Sequence, residues 1–303
     1  MIPPVATQFQ KEQTEQTRET VEAIARQWRR MGANFDSSWG MIAGNITAII
    51  SMSQRDSARR SRDYFVNVLE ATGQPVNLGN GSPNIDAFVG VNGDGRLIDD
   101  ALYGAVIRAK SNIKAGGTVA TALQSGGKWL NQASGFALAD TCRAVNRVQF
   151  PSMKVGGYVR VLTAPSCARC AILAGKRYYS DTAFLRHPRC DCQHLPASEE
   201  VAEDMLFNAE EYFESLPPEM QDKHFTKAGA EAIRNGADIN QVVNSRRGMY
   251  TTADGAFTRE GTTRRGFYGR GSKSPRLMPE QIQKIAGDRD EYLSLLRRYG
   301  YLI

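Results

Sequence analysis

The sequence predicts an α+β protein that is mostly α-helical. Three observations carry this. Apolar residues recur three and four apart through most of the first 150 residues. The spacing changes to two-residue alternation at GGYVRVLTAP, and it returns to helical periodicity after Ser198. The expected layout is a helical region over 1–150, a small central β-containing unit rich in Cys and His over 151–200, a helical segment over 201–245, and an extended Gly/Arg-rich basic arm over 246–303 that ends in a helix.

Each element has its own warrant. KEQTEQTRETVEAIARQWRRM sets Val21, Ile24, Ala25, Trp28 and Met31 on one helical stripe. A second helix is expected over 38–52. A third begins at Arg55, carries Tyr64, Phe65, Val68 and Leu69, and stops at Gly73. Its arginines read as a solvated face. The stretch 74–95 reads as loop. GVNGDGR within it has Asn92, Asp94 and Gly95 at calcium-loop spacing, but Gly90 and Ala101 occupy the positions that need Asp and Glu, so it reads as a turn. Helix resumes over 97–150, interrupted by the small residues of KAGGTVATALQSGG. Leu102, Ala105, Val106 and Ala109 lie on one face, and Trp129, Ala133 and Phe136 on another. A strand is expected over 158–163 and a second near Lys176 to Tyr179. SEEVAEDMLFNAEEYFESL reads as one acidic helix ended by Pro217 and Pro218. Two short helices broken at Asn235 and Gly236 follow, and a last helix is led in by Pro279.

Composition bounds the class. The 303 residues are 41% hydrophobic and 23% charged, which suits a folded chain with room for more than one domain. The net charge of +6 and pI of 9.1 mildly favour polyanionic surroundings. No stretch approaches the ~18 continuous apolar residues of a membrane span, so no membrane partner is expected. MIPPVATQFQKEQTEQ lacks the basic and apolar parts of a secretory leader, so a reducing compartment is expected.

Four of the five cysteines and two of the three histidines fall between Cys167 and His194. Their order is C-x2-C, then H-x2-C-x-C-x-H. Clustered thiols in a reducing compartment bind metal more often than they form disulfides, and zinc takes four thiolate or imidazole donors. Cys167 and Cys170 lead the ligand set, followed by Cys190, with Cys192 and His187 contending for the fourth place. His194 stands behind them. Disulfides or plain buried thiols are the structural alternatives. Cys142 reads as an ordinary buried cysteine. His187 is followed by Pro188 and Arg189, so the His-x-Glu of a zinc deaminase is missing, and no H-E-x-x-H occurs. Thiolate-rich ligation without a general base points to a closed, structural zinc that staples a small β unit.

At these residues the sequence resembles the minor head proteins of tailed phages that are similar to phage Mu protein F. Their hallmark is C-x2-C, a Gly several residues on, then His-Pro-x-Cys-x-Cys near a Pro. This chain has Cys167, Cys170, Gly175, His187, Pro188, Cys190, Cys192 and Pro196. Its tail, NGADINQVVNSRRGM with GTTRRG and RLMPEQI, also looks like the actinobacteriophage branch. The resemblance implies a minor capsid protein with zinc on Cys167, Cys170, His187, Cys190 and Cys192. It would lie inside the capsid near the portal vertex, after assembly in the host cytoplasm. Its implied partners are the portal protein and the major capsid protein, and its implied role is in head assembly, DNA packaging or ejection.

From Gln241 to Glu280 there are eight Arg or Lys against three Asp or Glu, interleaved with Phe257, Phe267 and Tyr268. An arm of this kind suits packaged DNA through Arg246, Arg247, Arg264, Arg265 and Arg270. It suits a neighbouring protein subunit equally. The rival enzyme reading is a capsid maturation protease, for which only His224 remains outside the cluster, with no nucleophile elbow beside it. The chain is therefore expected not to be an enzyme.

Overall fold

The computed structural model describes residues 2–77, 81–162, 166–182, 192–205, 207–263, 268–269 and 275–302. In chain order, α1 (Pro4–Trp28), α2 (Phe35–Ala71), α3 (Ile98–Leu102), α4 (Gly104–Lys114) and α5 (Val119–Ser152) come first. Strand β1 (Gly157–Val161), the one-turn α6 (Ala168–Ala171), β2 (Arg177–Tyr179), β3 (Gln193–Pro196) and α7 (Glu199–Glu203) follow. Then come α8 (Ala209–Ser215), α9 (Pro218–Phe225), α10 (Lys227–Arg234) and α11 (Ile239–Ser245). The strands β4 (Met249–Thr252), β5 (Gly255–Thr258) and β6 (Arg276–Leu277) precede α12 (Pro279–Ile285) and α13 (Arg289–Arg298). The protein is α+β and mostly helical, with two small antiparallel sheets.

Two compact units emerge: Met1–Thr163 with Gly175–Leu206, and Ala164–Ala174 with Phe207–Ile303. The sheet over the expected 151–200 unit therefore belongs with the N-terminal helices, and α6 belongs with the C-terminal residues.

In the first unit α1, α2 and α5 pack along one another, and α4 closes one end. Where two helices were expected over 38–71, α2 runs unbroken for 37 residues. Nothing between Met52 and Arg55 breaks a helix. Asn34 caps its start by accepting from the Ser37 amide (3.2 Å), and Gly73, at φ +66°, supplies the left-handed stop. Ile42, Ile46 and Ile50 form its buried ladder, and they pack with Ile24, Trp28, Trp39, Val106 and Leu130. The interruption expected across 114–127 is confined to Ala115–Thr118. Gly126 lies inside α5 because a Cβ there would stand 2.7 Å from the Trp28 ring. The buried face of α5 also differs from the expected one: Leu130, Ala137 and Leu138 are buried, and Trp129, Ala133 and Phe136 are half-buried beside them.

The first sheet has the order β2-β1-β3. Tyr158, Val159, Arg160 and Val161 pair with Pro196, Leu195, His194 and Gln193. Val159, Val161 and Leu195 pack with Phe9, Tyr64, Val68 and Cys142 in a second cluster. The GVNGDGR segment is the expected turn, with the Asn92 amide donating to the Arg96 carbonyl (2.8 Å) and Gly95 at φ +86°.

The second unit is built from short pieces. The acidic helix expected over 198–216 is two helices, because the Asn208 side chain accepts from the Glu210 and Glu211 amides and starts a new one. The pair broken at Asn235 and Gly236 forms as expected. The expected extended arm is instead folded among its described residues. β4 and β5 make an antiparallel hairpin closed at Thr252↔Gly255, and β6 pairs with β5. The turn itself is Ala253–Asp254, and Gly255, which opens β5 at φ +134°, takes a backbone conformation that favours glycine. The last helix is two, α12 and α13, of which Tyr292 and Leu296 are buried.

Candidate metal centre

Cys192 enters β3 directly and is fully buried. Its backbone carbonyl accepts from Arg143 Nη1 of α5 (2.9 Å), and Arg143 is itself paired with Asp140 (2.5 Å). This buried ion pair fixes the start of β3 against the helix. His194 follows two residues on, which places it on the same side of the strand as Cys192. It is buried, with its ring 4.2 Å from Tyr158 and 5.8 Å from Phe150. Its carbonyl accepts from the Tyr64 phenol (3.1 Å), whose pKa burial pushes far up.

Gly175, the hallmark glycine, sits at φ +71°. Its amide donates to the Arg160 carbonyl (2.9 Å), while the Arg160 amide donates to the Lys176 carbonyl (3.1 Å). The backbone of β1 is thereby tied to the start of β2. A side chain at 175 would be strained there.

In the second unit Cys167 caps α6 in extended backbone, and Cys170 follows one turn later. The Ala171 amide donates to the Cys167 carbonyl (3.0 Å) and the Ala174 amide to the Cys170 carbonyl (2.9 Å). Cys167 is half-buried and Cys170 buried. The turn is held from both sides. Tyr212 of α8 accepts from the Ser166 amide (2.7 Å), and Arg169 donates to Asn244 of α11. Two thiols on one turn is the arrangement a C-x2-C grip requires.

His187, Pro188 and Cys190 lie outside the described residues. Among the described residues no three His, Cys, Asp or Glu side chains converge on one point. Cys142 is an ordinary buried thiol: its Sγ lies 3.7 Å from the Ser57 carbonyl, and burial pushes its pKa to about 12. Sequence reasoning missed the groups that set the cysteines in place, Arg143, Asp140 and Tyr212. Nothing in their local sequence marks them, because Arg143 and Tyr212 act on partners more than 40 residues away and Asp140 acts through Arg143.

Of the arginines expected on nucleic acid, Arg264, Arg265 and Arg270 lie outside the described residues. Arg246 is paired with Glu280 and also donates to Thr226, and Arg247 lies 3.7 Å from Glu260. Both charges face carboxylates. Phe257 stacks on Tyr250 (5.7 Å), and Arg259 lies over the Tyr250 ring, so the hairpin's aromatics pack on one another. His224 sits on α9, its Nε2 buried and without a hydrogen-bond partner among the described residues. No helix among the described residues is long and apolar enough to cross a membrane.

Compared with family models, curated proteins and solved structures, the chain matches none.

Proposed function

We propose that this chain is a minor capsid protein of a tailed bacteriophage, associated with the portal inside the head and braced by a structural zinc ion. The observation that carries the reading is the order of donors, C-x2-C followed by H-P-x-C-x-C with Gly175 between them. The zinc would be held by Cys167 and Cys170 together with two of His187, Cys190 and Cys192. The donors suit the ion: the leading pair occupies one pinned turn, and Cys192 is buried at the head of a strand. When bound, zinc supplies a cross-link and therefore folding free energy, and no step of chemistry is required of it.

The chain's own residues supply the rest. Arg143 and Asp140 hold the Cys192 backbone in place, and Tyr212 and Asn244 hold the Cys167 turn. Work in head assembly, packaging or ejection follows from the same resemblance, with the portal and major capsid proteins as partners. Packaged DNA is a further partner through Arg264, Arg265 and Arg270 more than through Arg246 and Arg247, whose charges are already met by carboxylates.

The reading is tested by locating the chain in particles. Electron cryomicroscopy of virions assembled with a tagged copy should place a few copies at the inner face of the portal vertex. Particles that mature and fill with DNA while containing none of the chain would contradict it.

A further inference from the structure

A groove of about 580 Å³ runs between α1 and α2 in the first unit, and most of its wall is apolar. Ala23 and Ile49 are half-buried along it, and Met52 stands 67% exposed. α2 carries no charged residue from Ser37 to Gln54, so Met52 sits in an uncharged run of helix. Methionine, unbranched and polarizable, is favoured on surfaces that receive partners of varied shape.

The polar groups at its base are already paired. Gln16 Nε2 donates to the Ser53 carbonyl (2.9 Å), and Gln16 Oε1 accepts from the Ser57 hydroxyl (2.8 Å). The Thr20 hydroxyl donates to the Gln16 carbonyl (2.7 Å). An apolar group laid on this base strips none of them of a partner. The rim is charged, and Glu12, Glu15, Glu19 and Asp56 outnumber Arg26 and Arg60 there. Glu15 is tied to Arg18 (2.5 Å), whereas Glu19 and Asp56 are exposed and stand outside every ion pair among the described residues. This acidic rim lies on a chain whose net charge is +6.

We propose that this groove docks a basic amphipathic helix of a partner protein. One row of apolar side chains fills the groove over Ala23, Ile49 and Met52, and lysine or arginine beside that row meets Glu19 and Asp56. From Glu12 to Arg26 the helical rise is about 21 Å, which matches about fourteen residues of a helix lying alongside. Nucleic acid and anionic lipid are disfavoured, because they bring phosphate to carboxylate. A second copy presenting the same groove is disfavoured likewise, because acid meets acid.

The test is fluorescence anisotropy of the full chain with labelled helical peptides of about fourteen residues. The first has a leucine stripe flanked by lysines, and the second has the same stripe flanked by glutamates. A third keeps the composition of the first with its leucines scattered round the helix. The lysine peptide should bind saturably and about tenfold tighter than either of the others. General attraction to a chain of charge +6 works the other way, so this preference has to come from the groove. Met52→Asp should weaken the lysine peptide about tenfold. The double change Glu19→Lys with Asp56→Lys should invert the preference. All three positions are exposed, so the melting temperature should hold. No saturable binding of the lysine peptide, equal binding of the scattered peptide, a preference for the glutamate peptide, or indifference to these variants overturns the proposal. So does a dimer in sedimentation that Met52→Asp breaks, which assigns the groove to a second copy.

Discussion

In the first unit the Ile42, Ile46 and Ile50 ladder runs down one 37-residue helix into a continuous apolar cluster, and three long helices share it. In the second unit, among the described residues, no helix exceeds the ten residues of α13, and a buried guanidinium holds the pieces together. Arg276 donates to the carbonyls of Tyr299 (2.8 Å), Glu260 (3.0 Å) and Gly300 (3.0 Å) and to the Gln241 side chain (3.1 Å). It also lies over the Tyr301 ring at 4.2 Å. No carboxylate forms an ion pair with it among the described residues. Long helices can stand on burial alone. Short helices and strands of two to four residues bury too little each, and a polar hub or a bound ion has to join them.

The contrast can be broken at its most exposed point. Arg276→Ala strips four acceptors of their donor, and it should cost about 4 kcal/mol in denaturant unfolding, concentrated in the second unit. Arg276→Lys should recover only part of this, because an ammonium cannot span the same fork. Indifference to Arg276→Ala would mean that the apolar contacts of the second unit suffice.

Ile46→Ala probes the other side. It removes a fully buried side chain from the middle of the ladder, and it should cost about 3 kcal/mol, read as a lower melting midpoint for the first unit. A loss well under 1 kcal/mol would show that the bundle collapses around the gap.

A smaller effect in the second unit is read by pH. Burial pushes the Tyr301 phenol from 10.0 up to about 12, and its hydroxyl donates to the Leu277 carbonyl (2.9 Å). The folded chain therefore holds this proton more tightly than the unfolded chain. The stabilisation is fully present below pH ~10 and is lost as pH rises towards ~12, a change of about 2 kcal/mol. Burial also holds the protons of Tyr292 and of Cys142, so alkaline unfolding is compared between the parent chain and Tyr301→Phe, and the variant should lose the share of the dependence that Tyr301 carries, at the cost of one hydrogen bond.

The same contrast governs what the sequence discloses. Helical spacing announced α1, α2 and α5, because their apolar faces are periodic. The polar half of the α1 stripe, Gln13, Gln16 and Thr20, was invisible, since its burial is justified only by partners such as Ser53 and Ser57 on α2. The hairpin at 249–258 was misread as an arm because Gly, Arg and Thr look like solvent-facing chain. Its stability comes from β5 lying between β4 and β6 and from Thr258 donating to the Ser245 carbonyl (2.5 Å). Of the candidate site, the sequence offers Cys and His by type and order, of which His187 and Cys190 lie outside the described residues. The residues that pin the described ones, Arg143 on Cys192 and Tyr212 on the Cys167 turn, were not legible, because their partners are distant in the chain.

Zinc content tests the central claim most directly. Purified full-length chain, expressed with zinc and analysed by elemental mass spectrometry, should carry about one zinc per chain. Chelation, or the double change Cys167→Ser with Cys170→Ser, should remove the metal and lower the melting temperature. A metal-free chain with an unchanged melt, or thiols fully reactive in the zinc-grown protein, would contradict the account.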